Sequence, residues 1–107
     1  MEAALRLLGL GARARSLVIG VSGVRAKLQK GDLRGVVLAQ DAGPRTRDKV
    51  ERLALARGIP VWRGPDAAAL GAGLGRPPVQ AVGIADPALA RGLAAVFGGV
   101  SGNDADS

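Results

Sequence analysis

The sequence predicts an α/β fold, a three-layer α-β-α sandwich with a central mixed sheet of about four strands. Two observations carry it. Apolar runs of strand length alternate with segments of helical periodicity along the chain. Glycine, proline and aspartate punctuate the junctions, and neither a linker nor an internal repeat interrupts the series. At 107 residues the chain suits one domain with one core. That domain is expected over residues 1–98, with a flexible tail over 99–107 that ends "VSGNDADS".

The elements follow in order. Glu2 to Leu8 has helical spacing, with Ala4, Leu7 and Leu8 apolar, and "GLGARAR" is expected to end it. Leu17 to Ile19 reads as a strand. Ser22 is a natural N-cap for the next helix, Val24 and Leu28 share one face at i, i+4, and Gly31 suits its C-terminal turn. "GVVLA", Gly35 to Ala39, is apolar enough for a strand buried on both faces. "QDAGP" is a turn, with Pro44 as first residue of a helix whose inner stripe is Val50, Leu53, Leu55 and Ala56, ending at Gly58.

"IPVW" is a third strand. "GPDAAALGAGLG" opens with Pro65 and Asp66 and is helical up to its glycines. Val79 to Ala85 is a fourth strand, and "DPALARGLAAVFGG" carries an N-cap aspartate and an N1 proline for a last helix. Asp41 reads as a turn-forming or capping acid. Trp62 reads as core or as a half-exposed edge residue.

Composition narrows the function. Apolar residues make up 48% of the chain, but its only aromatics are Trp62 and Phe97, so the core is aliphatic. Histidine, cysteine and tyrosine are absent. That removes the usual zinc ligands and the commonest general acid–base group, and Ser16, Ser22, Ser101 and Ser107 have no histidine to activate them. No catalytic residue, metal site or cofactor is expected. No run approaches the roughly 18–20 apolar residues of a membrane span. Glu2 and the lack of a cationic lead make the N-terminus a poor signal peptide, so a cytoplasmic location is expected.

Net charge is +6, and the imbalance is local: between Arg13 and Arg63 stand twelve basic residues and four acidic ones. Such a footprint suits a polyanion, whose phosphates release counterions when neutralised. It equally suits a solvated arginine-rich surface, and Arg45, Arg47, Lys49 and Arg52 fit a solvated helix face. Among three glycine clusters, "GLGARA" and "GAGLGR" sit at helix ends. Only "GVSG", Gly20 to Gly23, joins a strand to a helix, where free N–H groups and the helix dipole favour an anion. From the residues alone, a plain tight strand-to-helix turn is the reading that the two glycines favour over an anion site. The cluster lacks the lysine and spacing of a P-loop and the third glycine of a dinucleotide turn.

The run "GVSGVRAKLQKGDLRGVVLAQDAGPRTRDKVERLALARGIPV", with the later "ALGAGLGRPPVQAVGIADPALA", resembles the L-seven-Ae / L-thirty-e ribosomal protein family, most of all its small bacterial YlxQ-type members. The resemblance spans about Leu7 to Leu93. It rests on the strand–"GxxG"–helix opening, the "VVLAQDAGP" turn, the "GIPV" strand and the "LGxxxG" helix end. It implies an α–β–α sandwich that binds RNA, in many members a kink-turn, through the start of the helix after the first strand. The family's Gly-x-Asn-Glu-x-x-Lys pattern places its glycine on Gly20. Ser22, Gly23 and Ala26 stand at its three polar positions, flanked by Arg25 and Lys27.

The resemblance also implies a second contact in an apolar loop before the last strand, here "LGRPPV", Leu74 to Val79. The RNA-binding set is therefore Gly20, Val21, Ser22, Gly23, Arg25 and Lys27 with Leu74, Gly75, Arg76, Pro77, Pro78 and Val79. The expected partner is structured RNA, ribosomal RNA or a ribonucleoprotein included, bound by a monomer. The other reading is a protein-interaction or assembly module of the same fold that has lost specific RNA reading.

Overall fold

The computed structural model describes residues 1–97. The expected boundary at residue 98 and the tail over 99–107 lie outside them. Nine elements alternate in chain order: α1 (Glu2–Arg13), β1 (Leu17–Ile19), α2 (Val21–Lys30), β2 (Gly35–Leu38), α3 (Pro44–Ala56), β3 (Val61–Arg63), α4 (Ala67–Gly73), β4 (Ala81–Ile84) and α5 (Pro87–Phe97).

The sheet is mixed, as expected, with strand order β1-β4-β2-β3. β4 runs antiparallel to β1 and β2, whereas β2 and β3 are parallel. Every residue of β2 and β4 is buried, as strands covered by helices on both faces must be. α2 packs with α3 on one side; α1 packs with α4 and α5 on the other. Leu8, Val24, Leu28, Val36, Val37, Leu70, Ile84 and Leu93 are fully buried, and no polar or charged residue is buried among the described residues. Each such aliphatic side chain contributes roughly 1.5–3 kcal/mol. Trp62 is core, 8% exposed, and its ring stacks on Phe97 at 6.1 Å between centroids.

The structure corrects six expectations. α1 does not stop at Leu8 but continues through Gly9 and Gly11 to Arg13. Gly11 is buried there because a Cβ would lie 2.5 Å from Leu89 Cδ2 and 3.0 Å from Leu17 Cδ2, so the glycine serves packing, not termination. Ser22 is not an N-cap: α2 already begins at Val21, with Gly20 as cap at φ 108° and no side-chain capping bond. In α3 the buried residues are Val50 and Ala54, while Leu55 is 81% exposed and Ala56 also faces solvent. A 3.6-residue period from Val50 reaches Leu53 and Ala54 and turns Leu55 outward. Finally, β3 starts at Val61 and β4 at Ala81, each two residues later than the apolar run, and α4 continues through Gly71 and Gly73.

Candidate nucleic-acid interface

The register brings the C-terminal ends of β1, β2 and β3 and the start of β4 to one end of the sheet. α2, α3 and α4 all begin there. Their N-termini differ electrostatically. α4 is doubly capped: Asp66 Oδ1 accepts from Ala69 N at 2.8 Å, and Asp41 Oδ1 reaches across from the turn after β2 to accept from Ala67 N, also at 2.8 Å. Asp41 is thus a capping acid, but of α4 and not of the helix that follows it. α2 and α3 have glycine caps, Gly20 and Gly43, no side-chain capping bond and no acid in the first turn. Their orphan N–H groups and positive dipole ends remain available to an anion.

The two segments singled out in the sequence meet at this end. Gly20 N donates to Ala81 O at 2.9 Å, two residues beyond the 74–79 loop, and Val79 N donates to Ala67 O at 3.0 Å. Ser22 is exposed at the second position of α2. Gly23 lies against β1, where a Cβ would be 2.9 Å from Val18 Cγ1, so a side chain fits there only if Val18 moves. Arg25 is half-buried, and its Nε is buried without a hydrogen-bond partner. Lys27 is half-buried, its side chain 45% exposed and its Nζ 4.0 Å from Asp32, an ion pair of little energetic weight at that exposure.

In the loop, Gly75, Arg76, Pro77 and Pro78 are exposed and Leu74 is half-buried. Val79 is only 7% exposed: its side chain joins the core, so the outward apolar surface is Pro77, Pro78 and part of Leu74. On α3, Arg47 Nη2 donates to Gln40 O at 3.2 Å and Arg52 pairs with Asp48 at 3.2 Å. Arg45 and Lys49 face solvent.

A hollow of about 380 Å³ extends this surface along the edge strand β1, lined by Arg13, Arg15, Leu17, Ile19, Leu74 and Arg76. Arg13 and Arg15 have no sequence motif to mark them, since "GARARS" reads as helix punctuation. Only the fold shows that they stand beside Arg76. A second hollow, about 280 Å³, lies at the opposite end of the sheet against Trp62, with Arg34 and Arg91 in its lining. The helix that begins there, α5, is capped by Asp86, whose Oδ1 accepts from Ala88 N at 3.0 Å. No group of three or more metal-binding side chains exists among the described residues.

Comparison with known proteins agrees with the fold. The model of the ribosomal protein L7Ae/L30e/S12e/Gadd45 family matches residues 2–93. Among solved structures, the chain is similar to a protein with unknown function from Bacillus halodurans C, at 35% identity and a TM-score of 0.84, over 87% of this chain and 94% of that one. A comparison with curated proteins found no match. With the family match running from α1 into α5, the chain belongs to the ribosomal protein L7Ae/L30e/S12e/Gadd45 family.

Proposed function

We propose that this chain is a non-catalytic RNA-binding protein, of the family's YlxQ type, that grips structured RNA such as a kink-turn or a ribosomal RNA fold. The observation that carries the proposal is the junction of an uncapped helix start with an exposed loop. The first turn of α2, free of side-chain caps and acids, is tied through Gly20 N and Ala81 O to the chain just past Leu74–Val79. The α2 backbone N–H groups would hold phosphate, Ser22 would offer one hydrogen bond, and Arg25, Lys27 and Arg76 would supply charge. Pro77, Pro78 and Leu74 would pack on an unstacked base. Without a carboxylate at Gly23, backbone positioning outweighs base-edge reading. Family membership supports an RNA partner, free or within a ribonucleoprotein. The proposal includes a cytoplasmic location and a monomeric state. No helix among the described residues is long and apolar enough to cross a membrane.

The test is a titration of the protein with a kink-turn hairpin and with a control hairpin lacking the tandem G·A pairs, at two salt concentrations. Preference for the kink-turn that persists at the higher salt supports the proposal. The double variant Arg25→Glu/Lys27→Glu is expected to bind more weakly, with a log–log salt slope smaller by about two, one for each phosphate no longer neutralised. Unchanged affinity in that variant removes the site assignment. The alternative, an assembly module that no longer reads RNA, draws on Gly23 packing against Val18 where family RNA binders carry glutamate. Partners that survive nuclease treatment in a pull-down favour it.

A further inference from the structure

Among the described residues four helices, α1 to α4, end in the same way, and one of the four departs in its residue type. At the ends of α2, α3 and α4 the chain turns through a left-handed residue: Gly31 at φ 75°, Gly58 at 66° and Gly75 at 69°. Each carries the paired bonds of a Schellman motif, for example Gly75 N to Ala72 O at 3.1 Å and Arg76 N to Gly71 O at 2.9 Å. α1 closes with the same pair, Arg15 N to Ala12 O at 3.1 Å and Ser16 N to Gly11 O at 2.9 Å. Here the left-handed residue is Arg15, φ 59°, the only non-glycine with positive φ among the described residues. An L side chain is strained in that conformation, and glycine is its usual occupant.

What Arg15 gains is a place on the wall of the hollow along β1. Arg13, Arg15 and Arg76 line it with no acid among its lining residues, and Leu17, Ile19 and Leu74 provide apolar surface. Leu17 and Ile19 are alternate residues of an edge strand, so they share one face. The volume, about 380 Å³, is within the range of small-ligand sites. Three permanent cations around an apolar floor match a ligand that is anionic at its edges and flat and apolar in its body.

We propose that this hollow is a second RNA contact that takes one unpaired nucleotide, with its base against Leu17, Ile19 and Leu74 and its flanking phosphates on Arg13, Arg15 and Arg76. The ligand class rests on the RNA-binding reading above; the hollow itself is separate from the α2 start. Leu74 and Arg76 are shared between the two, so a strand leaving the structured part of an RNA at the 74–79 loop runs directly into the hollow. Guanidinium groups suit this role because they bind phosphate in a two-pronged fashion and also stack on bases.

The chain has three isoleucines, Ile19, Ile59 and Ile84, and only Ile19 lines the hollow. Titration of isoleucine-methyl-labelled protein with a four-residue oligouridylate is expected to move the Ile19 δ1 signal and leave the other two in place. Arg15→Gly should weaken that binding about tenfold, the order expected for one charged hydrogen-bonded contact, while raising the melting temperature. Weaker binding together with higher stability excludes loss of folding as the cause. An unmoved Ile19 signal, or full affinity in Arg15→Gly, overturns the proposal. So does an oligoglutamate of equal charge that moves Ile19 as strongly, because the hollow then holds charge without a base. The same titration on Arg25→Glu/Lys27→Glu separates the two sites. An Ile19 response retained there, with kink-turn RNA bound by the wild-type protein no better than its control, supports the hollow and removes the α2 assignment. An Ile19 signal that stays still while kink-turn binding depends on Arg25 and Lys27 does the reverse.

Discussion

Gly71→Ala tests whether the 74–79 loop is seated by backbone packed directly on backbone. Gly71 is buried inside α4. A Cβ added there would lie 2.7 Å from the carbonyl carbon of Pro77, 3.0 Å from Arg76 O and nearer still to Pro77 O. The same approach forms a hydrogen bond, since Arg76 N donates to Gly71 O at 2.9 Å. Because the obstructing atoms are main chain, no rotamer change relieves them, and the loop must shift.

Two opposing terms set the size of the effect. Alanine is favoured over glycine in a helix interior by about 0.8–1.0 kcal/mol. Overpacking costs about 1–3 kcal/mol, and rigid backbone neighbours put this site at the upper end. The balance is a destabilisation of about 2 kcal/mol, which lowers the melting temperature by roughly 8–16 °C for a chain of this size. Far-UV circular dichroism reads the helices, and fluorescence of Trp62, the single tryptophan and a buried one, reads the core. RNA affinity should fall as well, because Arg76, Pro77 and Pro78 move with the loop. If Gly71→Ala melts at or above the wild-type temperature, the loop backbone yields freely and the reasoning fails.

Gly9→Ala is the matched control: it too is a glycine inside a helix, but nothing lies within 4 Å of the added Cβ. Only the propensity term remains, so stability should rise by about 1 kcal/mol in a urea titration; a loss would mean that α1 is not helical at Gly9. Asp41→Ala removes one of the two carboxylates that cap α4. It should cost about 1 kcal/mol by the same measurement, and an unchanged urea midpoint would show that Asp41 does not hold Ala67 N in solution.

Much of the fold could be read from the chain because its local signals agree with one another. Pro44, Asp66, Asp86 and Pro87 mark helix starts by their own chemistry, and the structure keeps all four at or beside a helix N-terminus. The unbroken apolar character of "GVVLA" announced a strand buried on both faces, which the structure forms over Gly35–Leu38. Glycine punctuation failed in α1 and α4, whereas Gly31 and Gly58 close α2 and α3 as expected. Gly9, Gly11, Gly71 and Gly73 lie inside helices, and the role of the last three is set by what comes near them in space: Leu89 and Leu17 at Gly11, the Pro77 backbone at Gly71, Leu5 at Gly73. A contact made across the chain leaves no mark in local sequence. Asp41 illustrates the same limit, since its role as a cap could be read but the helix it caps could not.

The β1 hollow was hidden for a related reason. Arg13 and Arg15 belong to a helix end, Leu17 and Ile19 to a strand, and Leu74 and Arg76 to a loop more than fifty residues later. No spacing rule connects them. A local signal at Arg15 nonetheless exists once helix boundaries are known. Extending α1 to Arg13 makes Ala14 its last half-helical residue, and the next position is the one that glycine fills in the three other helices with this ending. A left-handed L residue costs about 1–2 kcal/mol, a large fraction of the roughly 5–15 kcal/mol by which a domain is stable. Arginine's long side chain does nothing to reduce that strain, and the Schellman bonds would form equally well around glycine. The strain is therefore uncompensated within the helix end itself. On the proposal above, the compensation is the contact that the Arg15 guanidinium makes with a ligand in the hollow it lines with Arg13 and Arg76.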